Sequence, residues 1–195
     1  MTGTRATDPR YRLADFVRDL RAATAASDDA SEILERVAPL ARRLALSREW
    51  LEAAHYVCDT EQGFGIHVLH EEPDHRLLVF AAACLPGRGP APHDHGTWAV
   101  MVGVDGAETN ISWDRLDNGS RPGHASLRKR EERIVGPGDV LTFLPGAIHS
   151  VVNHTREVTV SLHVYGFNLN FTPRSQFDVE QGLERPFPLR MTPAH

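Results

Sequence analysis

Eleven histidines in a chain of 195 residues are the compositional oddity here, and their placement decides the reading. His93 and His95 lie in Pro92-His93-Asp94-His95-Gly96-Thr97-Trp98, directly after a Gly/Pro-rich stretch and entering a run of strand character. In a strand, residues i and i+2 point to the same side, so two imidazoles at this spacing can reach one point and serve as paired metal ligands. A pair of surface loop histidines would give the same pattern. His149 supplies a third imidazole at a strand–turn–strand junction, after Pro145-Gly146 and before Ser150-Val151-Val152-Asn153. Further on, Ser161, His163 and Tyr165 alternate with Val160, Leu162 and Val164, which places three hydrogen-bonding side chains on one face of a strand. Burying such a row costs several kcal/mol unless the groups satisfy one another or serve a polar cavity. An exposed edge strand is the plainer alternative, and the neighbouring histidines weaken it.

These residues need a scaffold. Arg12–Ala26 is rich in Ala, Leu and Arg, with Leu13, Phe16, Val17 and Leu20 at helical spacing. Asp29 with Glu32 three residues on reads as a helix start, followed by the stripe Ile33, Leu34, Val37, Leu40 and Leu44. Pro39 is expected to bend or split that helix, and Ser47 to cap a third short one carrying Trp50, Leu51 and Ala54. From about residue 60, Gly and Pro punctuate short apolar runs. Strands are expected at 65–69, 77–85, 97–104, 108–114, 130–135, 140–144, 150–153 and 158–165. Short strands at regular intervals without intervening helices point to an antiparallel sandwich or small barrel. The chain divides into a helical region (1–58) packed on a β-barrel (60–170) and an irregular C-terminal tail (171–195), all one domain.

Composition excludes several classes. With 41% hydrophobic and 24% charged residues the chain is globular, and a net charge of −5 argues against nucleic acid or an anionic membrane as partner. Two cysteines, Cys58 and Cys84, form no CxxC and fit a reducing cytoplasm, where both read as packing residues. No run approaches 18 apolar residues, and the polar start (1–10) does not resemble a signal peptide. His55, His70, His75, His124, His154 and His195 read as surface or loop residues.

Gly87, separated by five residues from His93-Asp94-His95, and Gly138 leading to Pro145-Gly146, His149 and Asn153, resemble the two cupin motifs. The Gly, His and Asn spacings match, although the usual second-motif Pro position holds Leu144. Together with Trp98, the His149–Asn153 segment and Ser161–Gly166, the pattern over roughly 55–190 resembles the thiol dioxygenases of the cysteine dioxygenase family. The run from Tyr165 to Phe187 resembles the bacterial 3-mercaptopropionate dioxygenase branch. The resemblance implies a cupin (double-stranded β-helix) fold, with His93, His95 and His149 holding one Fe2+, and a Ser161–His163–Tyr165 triad beside it. It implies that a small-molecule thiol and O2 react to give a sulfinate. Asn153 reads as structural. Many cupins add a Glu four or five residues after the HxH pair, where this chain has Ala99 and Val100. The Cys that crosslinks to the active-site Tyr in animal-type enzymes is also missing, so Tyr165 is expected unmodified. The family's carboxylate-binding Arg, or Gln in the mercaptopropionate branch, falls at His67. That branch uses an Arg nine residues beyond the triad Tyr, which is Arg174 here. His67, Arg174 and Trp98 are therefore expected to line the substrate pocket. L-Cysteine as substrate, a metal-binding cupin of other chemistry, and a non-catalytic metabolite sensor are the alternatives.

Overall fold

The computed structural model describes residues 11–193; the polar start and His195 lie outside the described residues. Two helices open the chain, α1 (Leu13–Ala25) and α2 (Ala30–Ser47). Asp29 caps α2 by accepting hydrogen bonds from the Ser31 and Glu32 amides at 2.9 and 3.0 Å. Pro39 neither splits nor ends α2, because it stands on the exposed face, where the carbonyl it leaves unpaired meets water. Leu20, Val37 and Leu44 on the opposite faces are fully buried, each contributing about 1.5–3 kcal/mol. The third helix expected from Ser47 does not form. Ser47 ends α2, Trp50 instead turns back to donate its Nε1–H to the Leu44 carbonyl at 3.0 Å, and a single 3₁₀ turn follows at Ala53–Tyr56.

The remainder is antiparallel β. Strands β1 (Phe64–Glu71), β2 (Arg76–Cys84), β3 (Ala99–Asp105), β6 (Val140–Phe143) and β8 (Thr159–Phe167) form a five-stranded sheet in the order β1-β2-β8-β3-β6. Strands β4 (Glu108–Arg115), β5 (Leu127–Val135) and β7 (Ile148–Val152) form a second sheet in the order β5-β4-β7. The five-stranded sheet is apolar on both faces. Val79, Ala81, Val100, Leu162 and Val164 pack outward under α1 and α2, while Leu78, Phe80, Met101 and Tyr165 face the interior. That double burial explains why its strands read as continuous apolar runs rather than clean alternations. At Gly103 a Cβ would stand 2.2 Å from the Gly136 carbonyl oxygen, so only glycine lets the 136–139 turn dock on β3.

The C-terminal tail is more ordered than its sequence implies. Strands β9 (Ser175–Asp178) and β10 (Leu183–Pro186) form a hairpin, and isolated pairings of His93 with both His149 and Gln176 join it to the β5-β4-β7 sheet. Beyond it, Thr192 exchanges backbone hydrogen bonds with Ile66 and Val68 on β1, while Phe187, Leu189 and Met191 pack against the interior cluster. No described helix is long and apolar enough to cross a membrane.

Candidate metal centre

The backbone brings the histidines together before any side-chain interaction is counted. His93 and His149 are direct antiparallel partners, their amides and carbonyls paired at 2.8 and 3.0 Å. His93 lies in an isolated bridge rather than a regular strand, and His149 lies within β7 rather than at a turn. His95 follows on the same side. Gly96, at φ +66°, turns the chain immediately after it, and Thr172 donates its hydroxyl to the His95 carbonyl at 2.9 Å.

The ligand nitrogens of His93, His95 and His149 all lie within 4.8 Å of one another, and no carboxylate or thiol among the described residues joins them. The Nε2 atoms of His93 and His95 are 3.3 Å apart, and those of His95 and His149 are 3.1 Å apart. Two nitrogens about 2.1 Å from one ion would be about 3.0 Å apart at a right angle and about 3.4 Å at the tetrahedral angle. The observed spacings fall within that window. The hydrogen bonds behind the rings agree. His93 donates Nδ1–H to the Ala91 carbonyl at 2.8 Å, which leaves Nε2 bare. The Asn110 amide lies against His149 Nδ1, with Nδ2 at 3.1 Å and Oδ1 at 3.4 Å; turned to present Oδ1, it fixes the same tautomer. His95 Nδ1 is buried without a hydrogen-bond partner among the described residues, its ring held edge-on to Tyr165 and Phe143. Burial pushes the His93 pKa down to about 3 and holds His95 and His149 well below the ordinary range, with mutual repulsion and Arg174 adding to the effect. All three present neutral lone pairs at pH 7, as a cation requires. The residues fit a divalent metal.

Asn110 has no sequence motif to mark it. It stands on β4 and meets His149 only because β4 pairs with β7. Asn110→Ala is expected to weaken metal affinity by about 10–100-fold, read by chelator competition. An unchanged affinity would show that the ring needs no such anchor.

Beside the His93 and His149 imidazoles is a cavity of about 40 Å³, also lined by Glu108, Ser161, His163, Tyr165, Arg174 and Phe187. Tyr165 donates to or accepts from His163 Nδ1 at 3.0 Å, and His163 Nε2 meets Ser161 Oγ at 2.9 Å. Phe80 stacks on both rings. Arg174 is 6% exposed; its Nε donates to the Asp94 carbonyl at 3.2 Å, its guanidinium lies over the Phe187 ring, and Nη1 has no partner. Burial lowers its pKa to about 10, against the pull of Tyr165 and Asp94, so it stays charged at pH 7.

Two residues expected in the pocket are elsewhere. His67 is on the outer face of β1, paired with outward-facing Ala81, and its Nε2 lies 2.8 Å from the Val57 carbonyl beside His55. The inward side chains of β1 are its neighbours Ile66 and Val68. Trp98 likewise packs outward, in the layer under the helices, and against Gly166, where a Cβ would come within 2.4 Å of its Nε1. Asn153 donates to the Cys84 and Glu157 carbonyls and accepts from Thr155, all structural contacts. His70 and His75 meet Glu72 and Glu71.

No protein-family model matches the sequence. Among solved structures, the chain is similar to oxalate oxidase in complex with glycolate, at 18% identity and TM-score 0.44 over 54% of this chain and 52% of that one. It thus spans about half the length of the oxalate oxidase chain. A double-stranded β-helix protein from Klebsiella pneumoniae subsp. pneumoniae MGH 78578 aligns at 16% identity and TM-score 0.47, over 66% of this chain and 90% of that one. KdgF from Halomonas sp. aligns at 18% and 0.41, over 55% and 83%. Likeness at this level concerns fold alone, and the strand order carries that point by itself. The fold is a cupin barrel. Its interior holds three histidines placed to bind a metal ion.

Proposed function

We propose that this cupin is a thiol dioxygenase that converts a small mercapto-carboxylate, resembling 3-mercaptopropionate, and O2 to the sulfinate. The observation that carries this reading is a carboxylate-free cluster of three neutral imidazoles, two of which, His93 and His149, share one small cavity with Arg174, whose Nη1 has no partner. Held by His93, His95 and His149, a ferrous ion would supply open coordination positions where thiolate and dioxygen meet. Neutral ligands leave the ion's full charge uncompensated, which favours an anionic sulfur donor over a neutral one. Arg174 supplies the complementary charge at the other end of the molecule. A buried guanidinium with a free N–H is costly until an anion fills the place, and a carboxylate is the matching planar acceptor. Tyr165, whose phenol burial keeps protonated, borders the same space and is oriented by His163 and Ser161. Ile66, Phe80, Leu169 and Phe187 give the remaining walls an apolar surface. The cavity volume suits a ligand of few heavy atoms.

Anaerobic loading with Fe2+, followed by an oxygen-electrode assay over 3-mercaptopropionate, L-cysteine and cysteamine, tests the proposal. The expected result is about one O2 consumed per thiol, a sulfinate product, and preference for 3-mercaptopropionate. Preference for L-cysteine would reassign the substrate. No uptake with any thiol would overturn the activity and favour a metabolite-binding cupin.

A further inference from the structure

The Ser161–His163–Tyr165 chain does not end at Ser161. Glu108, the first residue of β4, is buried at the far side of the same cavity and reaches across to β8. Thr159 donates its hydroxyl to Glu108 Oε1 at 2.6 Å, and Ser161, two residues along the same face of β8, lines the cavity beside Glu108 together with Cys84. Ser161, His163 and Tyr165 are linked in sequence, and Glu108 lies in the same cavity lining beside the Ser161 end, so a carboxyl stands at the head of the row that leads to the phenol.

Such a chain has only two consistent directions. His163 is neutral, because burial pushes its pKa down to about 3, so its ring carries one N–H. When Glu108 is ionised it can only accept, and Ser161 donates to it through a charge-assisted bond about twice as strong as a neutral one. Ser161 Oγ then accepts from His163 Nε2–H, the bare Nδ1 accepts from Tyr165 O–H, and the phenol turns a lone pair to the cavity. When Glu108 is protonated and turns its O–H to Ser161, every link reverses. Its O–H donates to Ser161, Ser161 donates to His163 Nε2, His163 Nδ1–H donates to the Tyr165 oxygen, and the phenol O–H points into the cavity.

We propose that Glu108 is a positioning residue that sets the direction of this chain, and so decides whether Tyr165 offers a hydrogen-bond donor or an acceptor to the bound substrate. The inference rests on the proposed function in one respect: that the molecule facing Tyr165 is a reacting thiol with O2. Burial raises the Glu108 pKa above the ordinary carboxyl range, against its hydroxyl and thiol partners, which brings the switch toward working pH. The groups that face it are Cys84 from β2 and Thr159 and Ser161 from β8, with the Arg174 guanidinium and the His93 and His149 imidazoles across the cavity.

The test is nitrogen NMR of the His163 tautomer in metal-free protein against pH, beside infrared detection of the Glu108 carboxylic-acid C=O stretch. In the wild type, Nδ1–H should give way to Nε2–H as pH rises, with the same midpoint as the loss of the acid band. Glu108→Gln, whose amide donates as the neutral acid does, should hold Nδ1–H at every pH and lack that band. Ser161→Ala should leave the Glu108 titration in place and uncouple the tautomer from it. A wild-type tautomer that ignores pH across the folded range, or a transition that persists in Glu108→Gln, would overturn the proposal. In loaded enzyme, the pH limb of kcat that follows the tautomer should vanish in Glu108→Gln with KM within about twofold of wild type. A tautomer switch as described in a protein that turns over no thiol would leave the chain standing and sink the assigned activity.

Discussion

His149→Ala removes stoichiometric metal binding and leaves a folded barrel. The substitution deletes one of three converging nitrogens, and its effect on affinity should exceed the about 10–100-fold that loss of a supporting group such as Asn110 costs. The backbone pairing of residue 149 with His93 involves only main-chain atoms, so the sheet that carries the ligands persists. Metal analysis per chain after loading and desalting reads the first effect. Calorimetry with and without chelator reads the second: a site filled at 100 times its Kd adds about 2.7 kcal/mol to the wild type, and the variant should show no chelator-dependent shift in Tm. Retention of one metal per chain in His149→Ala would mean that the ion sits elsewhere.

For the proposed activity, Arg174→Gln is expected to raise KM for carboxylate thiols by about ten- to a hundredfold, matching the about 1.5–3 kcal/mol expected for hydrogen bonds to a charged partner. Cysteamine, with no carboxylate, should respond less than about twofold. The comparison works because Arg174 is fixed independently of substrate, by the Asp94 carbonyl and the Phe187 ring, so a uniform loss would report disrupted packing instead. Arg174→Lys should recover only part of the effect, since an ammonium keeps the charge without the planar fork. Equal changes for all thiols would remove Arg174 from carboxylate recognition.

Much of this site was legible in the sequence, for reasons that also explain what was not. The strand around Ser161, His163 and Tyr165 could be read because a period of two leaves one face polar and the other apolar. His67 and Trp98 were expected inside because the family resemblance put them there, and since both faces of the five-stranded sheet are buried, their apolar neighbours did not argue against it. Alternation there carries no in-or-out label, and a one-residue offset reverses the side. Asn110 and Glu108 are two among several polar residues of β4 and meet the site only through pairing with β7 and packing on β8, information that one strand does not contain. The β9–β10 hairpin was hidden by its polar composition; it forms by docking on residues 92–94.

The closing segment has a consequence for how such a barrel diversifies. Phe187 and Leu189 border the cavity, yet they belong to a strap that crosses β1 after every metal-holding residue has been laid down. Part of the cavity wall is thus encoded apart from the imidazoles. Replacements at Leu189 reshape that wall without touching a coordinating ring, whereas Phe187, edge-on to His93 and under Arg174, couples the strap to the site itself.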